Sequence, residues 1–191
     1  MAVDNHMALY KKYYESGVLK REHHERMVED LAEVCKIAGI PKYFTYTAFS
    51  DHCGDKEREW LKTIRSPEDG QAGMVFTGSV VNVEDRMMAI VGACLRNYLD
   101  ARLVTVQEIL KMEKAHKNFE PPLICIPNFF LQKSSGGDIA TWEVSTLLGW
   151  LHRRFAADLQ TVLYIADMQL LKSQYGVAFY DHITAHFKIV K

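Results

Sequence analysis

The stretch Gly73-Met74-Val75-Phe76-Thr77-Gly78-Ser79-Val80-Val81-Asn82-Val83-Glu84-Asp85 decides how this chain is read. Gly73–Thr77 is a short uncharged run bounded by a second glycine, the pattern of a strand buried on both faces. Beyond the loop, Met87, Ile90, Val91, Cys94 and Leu95 recur at helical spacing, which predicts a core-facing helix over Val83–Tyr98. A buried strand leading through a loop into such a helix is the repeating unit of a parallel sheet.

Outward from this unit, strand and helix patterns alternate. Ala101–Val106 reads as a strand and Val106–Ala115 as a helix. Leu123–Ile126 is a four-residue apolar strand, and Asp138–Phe155 is helical. Thr161–Ile165 is another buried strand, Asp167–Leu171 starts a short helix, and His186–Val190 is a last strand. Upstream, Met27, Leu31, Val34 and Ile37 predict an amphipathic helix over Val18–Ala38, ended by Gly39 and Pro41. A second helix is expected over Asp55–Ile64, followed by a turn at Ser66–Gly70. The alternation predicts an α/β fold with a mostly parallel central sheet.

The chain has 191 residues, 48% of them hydrophobic and 25% charged, with Lys+Arg 23 against Asp+Glu 24. Ordinary apolar content and a net charge of -1 exclude disorder as the dominant state. No run reaches the ~20 apolar residues of a membrane-spanning helix. Asp4, Asn5 and His6 do not suit the start of a secretory signal. The expectation is a soluble, cytoplasmic protein with no membrane partner. Cys35, Cys53, Cys94 and Cys125 form no C-x-x-C pair, so neither a zinc ribbon nor a redox dithiol is indicated. The near-neutral balance removes the global basic signature of a strong nucleic-acid binder.

The loop after the first core strand stands where a phosphate-binding P-loop would. That motif, G-x-x-x-x-G-K-[ST], uses glycine for close backbone approach, lysine to neutralise phosphate and a hydroxyl to hold magnesium. Here Gly78 matches the first glycine, whereas Val83, Glu84 and Asp85 occupy the positions of the second glycine, the lysine and the hydroxyl. Two like charges about 4 Å apart repel by about 4 kcal/mol at an effective dielectric near 20. A carboxylate in place of the lysine therefore opposes triphosphate binding.

From Ala38-Gly39-Ile40-Pro41 to Val190, the order of segments resembles the AAA+ ATPase domain of the DnaC/DnaI-type replicative helicase loaders, related to the IstB transposition ATPases. The aromatic Phe44–Phe49 stretch is similar to the family's lead-in, and Gly73–Gly78 to the strand entering its Walker A loop. Leu103–Leu110 resembles the second strand and its helix, and Leu123–Ile126 the Walker B strand. Arg153-Arg154-Phe155 looks like that family's Arg-aromatic pair, Thr161–Ile165 like its sensor strand, and Tyr175-Gly176 like the start of its arginine-bearing helix. The resemblance implies a three-layer P-loop/AAA+-like domain over 41–191, preceded by a helical extension over 1–40.

The departures from the family pattern fall on its chemistry. Pro127 and Asn128 stand where two acidic residues follow the Walker B strand, and Ala166 where the sensor asparagine belongs. Ala178 and His182 replace the expected arginines. Phosphoryl transfer depends on charge neutralisation by lysine, metal and arginine. The resemblance and these losses together imply a pseudo-ATPase in DNA replication, with no catalytic residues and no cofactor expected. It would act by binding a replicative helicase, an active loader or a second copy of itself.

Two other readings stand beside this one. A divergent ATPase would bind ATP and magnesium through Asp85 or Asp167, with lysine supplied from elsewhere. An α/β protein binding single-stranded DNA would use basic residues beside aromatic ones. Lys111, Lys114 and Lys117 next to Phe119, and Arg153 and Arg154 next to Phe155, are candidates, although interleaved Glu108, Glu113 and Glu120 favour a solvated mixed-charge face. Phe129-Phe130-Leu131, leading into Ser134–Gly137, would cover the empty pocket, touch a partner or pack into the domain. His182 and His186 lie four apart, but a strand beginning near His186 would break that spacing, so no metal is expected. His23 and His24 are read as solvated.

Overall fold

The structure is a computed structural model that describes residues 14–15, 18–19, 28–66, 70–116, 120–131 and 141–191. Five parallel strands form the central sheet: β3 (Gly73–Thr77), β4 (Ala101–Leu103), β5 (Leu123–Phe130), β6 (Gln160–Ile165) and β7 (Phe187–Val190). Their spatial order is β4-β5-β6-β3-β7. Strand β3 pairs with β6 from Gly73↔Thr161 to Thr77↔Ile165, and with β7 from Gly73↔Phe187 to Phe76↔Val190. A separate two-residue ladder joins β1 (Tyr14–Glu15) to β2 (Val18–Leu19).

Alternation along the strands sorts their side chains into two cores. Met74 and Phe76, Leu123 and Cys125, and Val162 face one side, with helices α1 (Leu31–Ala38) and α3 (Val83–Arg96) packed on them. Val75, Ile124, Ile126, Leu163 and Ile165 face the other. There they meet α4 (Val106–Lys114), α5 (Thr141–Ala156), α6 (Met168–Tyr175) and α7 (Val177–His186). Because both faces are covered, β3, β5 and β6 read as mostly apolar runs rather than alternating ones. This is the expected three-layer α/β architecture. Helix α2 (Asp55–Lys62) contributes its one fully buried aromatic, Trp60, to the first core.

Several boundaries move, each for a local reason. Val18 and Leu19, expected in a helix, lie in strand β2, while α1 packs into the first core. Residues 20–27, including His23 and His24, lie outside the described residues. Strand β4 stops at Leu103 because Thr105 caps α4: its hydroxyl accepts from the Glu108 backbone N–H, and Glu108 reaches back to the Thr105 N–H. Strand β5 continues past Ile126 through Pro127. Proline cannot donate to a ladder, and the β5–β6 register shifts between Ile126 and Phe130, where it is accommodated. Helix α7 runs through His186, so His182 and His186 do share one helix.

The lead-in approaches α3 very closely at Gly92, where an added Cβ would lie 2.3 Å from the Phe44 carbonyl oxygen. Arg96 ties the same segment down by donating to the Phe44 and Thr47 carbonyls, at 3.2 and 3.0 Å. Alanine in a helix is otherwise worth about 1 kcal/mol over glycine. Overpacking against backbone costs about 1–3 kcal/mol, and here the obstacle is a carbonyl that cannot rotate away. Gly92→Ala is therefore expected to destabilise the domain by about 2 kcal/mol, lowering Tm by about 4–8 °C in calorimetry, whereas propensity alone would raise it.

Candidate functional site

The carboxyl ends of β3, β6 and β5 lie side by side, since Thr77 pairs with Ile165 and Ile165 with Phe130. Open parallel sheets place ligands at this edge. The loop leaving β3 turns at Gly78, whose φ of 76° is in the left-handed region, and enters α3 through Asn82, with φ 54°. From β6, the Tyr164 hydroxyl donates to the Gly78 carbonyl at 3.1 Å. Val83 is buried beneath the helix start, while Val81 stands exposed.

A helix N-terminus presents unpaired N–H groups and a partial positive charge, which is what makes it an anion site. Here the first turn carries its own anions, Glu84 and Asp85, both exposed. They stabilise the helix by the same effect that would hold a phosphate, and they repel one. The loop lines an open cavity of about 440 Å³ shared with Asp51, His52, Asp85, Arg86 and Lys191. Lys191 reaches this edge because it follows β7, whose Val190 pairs with Phe76.

Arg86 is the cation that the sequence reading passed over. It lies two residues after Glu84 in the first turns of α3, a position that could have drawn notice. Its Nη2 lies 2.5 Å from Oε1 of Glu57, a carboxylate only 1% exposed, and its guanidinium stacks 5.3 Å from the Phe76 ring centre. No sequence signal marks Glu57, because α2 is charged on most positions. Glu57 is buried and costly to leave unpaired, so it holds this guanidinium at the inner side of the cavity that Arg86 also lines. The neighbouring Cys53 thiol is pushed up to about 12 by burial first and by Glu57 second, with Arg86 opposing. Cys94 is likewise raised to about 12, and Cys125 is raised well above the usual thiol value, both chiefly by burial. Cys35 is buried and raised as well, so all four thiols sit in surroundings that disfavour the thiolate.

At the other strand ends, Asn128 serves the fold. Its Oδ1 accepts from the Val106 N–H at 3.3 Å, and its amide donates to Gln107 at 3.5 Å. Pro127 is half-buried beside it. Ala166 donates its N–H to the Phe130 carbonyl at 2.9 Å. Asp167 accepts from the Gln169 and Leu170 N–H groups at 2.8 and 2.9 Å, capping α6. Among the described residues, no group of three histidine, cysteine or acidic side chains is placed to hold a metal.

The remaining candidates lie elsewhere, and three of them are corrected. Phe129 and Phe130, considered as a pocket cover or partner contact, are 1% and 4% exposed and pack on Phe179 and Tyr175. Burial of these rings in the second core outweighs exposure next to a loop. Ser134–Gly137 lies outside the described residues. Arg154, considered as a DNA contact, is fully buried. It donates to Thr161 Oγ1 at 3.0 Å, twice to the Pro121 carbonyl at 3.1 Å and to the Gln160 carbonyl at 2.6 Å. Burial lowers its pKa to about 9.

Lys111 is exposed on α4. Lys114 lies 3.4 Å from Glu143 and 4.4 Å over the exposed Trp142, and Arg153 lies 2.5 Å from Glu113. This is a mixed-charge face, and Lys117 and Phe119 lie outside the described residues. Ala178 is exposed on α7, whereas His182 is buried in an aromatic cluster with His152, Phe155, His186 and Phe187. Its Nε2 has no hydrogen-bond partner among the described residues.

No protein-family profile and no curated protein matches the chain in sequence. Solved structures match its fold. A DnaI crystal structure is 15% identical with a TM-score of 0.55, covering 79% of this chain and 90% of that one. The DnaC helicase loader is 13% identical at TM-score 0.54, covering 78% and 98%. Domain III of the Thermotoga maritima replication initiation protein DnaA is 13% identical at TM-score 0.54, covering 74% and 65%. The chain has the fold of a DnaC/DnaI-type AAA+ domain.

Two outcomes follow from the buried polar groups. Arg154→Lys keeps the charge but cannot reproduce the planar set of bonds, and should destabilise the domain by about 3 kcal/mol in urea unfolding. His182 has its pKa lowered to about 4, by burial first and then by His152 and His186. The folded state thus binds fewer protons than the unfolded one, whose histidine titrates near 6.5. Stability should fall as pH drops from 6.5 towards 4, and His182→Phe should flatten that part of a Tm-against-pH curve.

Proposed function

We propose that this chain is a non-hydrolysing helicase-loader-like AAA+ protein that acts in DNA replication by binding a replicative helicase, an active loader or a second copy of itself. The observation carrying this reading is the start of α3, where Glu84 and Asp85 take the place of a phosphate-binding lysine and a metal-binding hydroxyl. Two further features point the same way. Arg86 is held by Glu57 rather than free to meet phosphate, and Pro127, Asn128 and Ala166 supply no acid or sensor amide at the adjoining strand ends. The fold itself is retained through two apolar cores. A chain shaped for association but not for phosphoryl transfer fits that combination. The neighbours of this fold include a protein named as a helicase loader and one named as a replication initiation protein, which supports the replication context.

One observation favours a second reading. Lys191 lines the cavity beside the loop and is the place from which a divergent ATPase would draw its missing lysine, with Asp85 for the metal.

Calorimetric titration with ATP and ADP in magnesium separates the two. No binding at millimolar nucleotide is expected for the native chain. Micromolar binding that Lys191→Ala abolishes would overturn the proposal in favour of the ATPase. With nucleotide excluded, binding to purified replicative helicase and to an active loader would be measured directly, with sedimentation for self-association.

A further inference from the structure

A groove at the opposite end of α3 from the candidate site combines apolar residues with a cationic rim. It lies between α2 and the C-terminal end of α3, has a volume of about 480 Å³ and opens to solvent. Phe49, Leu61 and Ile64 form its floor; all three are half-buried and continuous with the first core. Arg58, Lys62, Arg65 and Arg96 surround it, and among the described residues none that lines it is acidic.

The four cations are not equally engaged. Arg58 and Lys62 pair with Asp55 and Glu59 of their own helix, at 3.1 and 2.7 Å. Such exposed pairs contribute little and exchange readily with another carboxylate. Arg65 donates to the Asn97 carbonyl, and Arg96 to the Phe44 and Thr47 carbonyls. Carbonyl oxygens satisfy the N–H groups without cancelling the charge. The C-terminal end of α3 brings a partial negative charge to this region, but a half charge is outweighed by two arginines beside it.

We infer that this groove docks an acidic amphipathic helix of a partner protein, its apolar face on Phe49, Leu61 and Ile64 and its carboxylates on the arginine and lysine rim. Charge complementarity selects this occupant. A concave slot between two helices suits the ridge of a third helix rather than the plane of a lipid surface. A floor with a single aromatic lacks the stacked rings that single-stranded nucleic acid uses. Planar guanidinium groups favour carboxylates approached in pairs. The inference stands whether or not the chain binds nucleotide, because the groove shares no residue with the loop cavity.

The probe is a fluorescent peptide with leucines at i, i+3, i+4 and i+7 and glutamates elsewhere, titrated with the full chain by fluorescence anisotropy. Saturable binding is expected, at least about tenfold weaker for the double variant Arg58→Glu, Lys62→Glu. Both side chains are exposed, and an unchanged Tm would show that the variant folds. Equal affinity for native and double-variant chains would overturn the inference. So would equal binding of a scrambled peptide of the same composition, which would reduce the effect to net charge. Binding of phosphatidylglycerol vesicles in place of the peptide would assign the groove to lipid. Self-association abolished by the double variant, without peptide binding, would assign it to a second copy.

Discussion

Strand β3 has solvent on no side, and the rest of the domain is arranged around that condition. All five of its residues are buried, β6 and β7 occupy its two edges, and helices cover both faces. A buried backbone must have its N–H and C=O groups paired, so β3 requires a strand on each edge, and both of its neighbours are parallel. Parallel neighbours in turn require crossover helices, which supply the two outer layers. Its carboxyl end lies beside those of β6 and β5, and there the loop to α3 forms the candidate site.

The electrostatics of that site follow from position as much as from composition. Glu84 and Asp85 compensate the start of α3 from within, and Arg86 one position later turns beneath the loop to Glu57 and Phe76. Three consecutive charged residues thus serve opposite ends of the same structure, two at the surface and one in a buried pair. A similar division operates in α5. Arg153 lies on a mixed-charge surface with Glu113, while Arg154, its neighbour, is enclosed by the carbonyls of Pro121 and Gln160. Adjacent residues on a helix point about 100° apart, so consecutive arginines necessarily meet different environments.

The fold was legible because its signals are local. Gly73–Thr77, Leu123–Ile126 and Thr161–Ile165 are uncharged runs of strand length, and Met87 to Leu95 keep helical spacing; each belongs to the element expected of it. Boundaries were less legible where a long-range partner decides them. Pro127 stays in a strand because β6 tolerates a register shift, and His186 stays in a helix because α7 is held by Phe179 and Ile183 in the second core. The Thr105-x-x-Glu108 cap was readable and would have ended β4 correctly.

By itself, the sequence determined the α/β class, the strand–loop–helix unit at its centre and the acidic residues at the start of α3, since periodicity and residue identity are properties of short segments. Tertiary structure alone decided which side chains share a site. Lys191 meets the loop because β7 lies beside β3, and Glu57 meets Arg86 because α2 folds under the start of α3. Phe129 and Phe130 are interior because the second helical layer closes over them, and Arg154 because its helix turns it inward onto Pro121, Gln160 and Thr161. Those outcomes depend on contacts between residues far apart in the chain, and no pattern within a single segment encodes them.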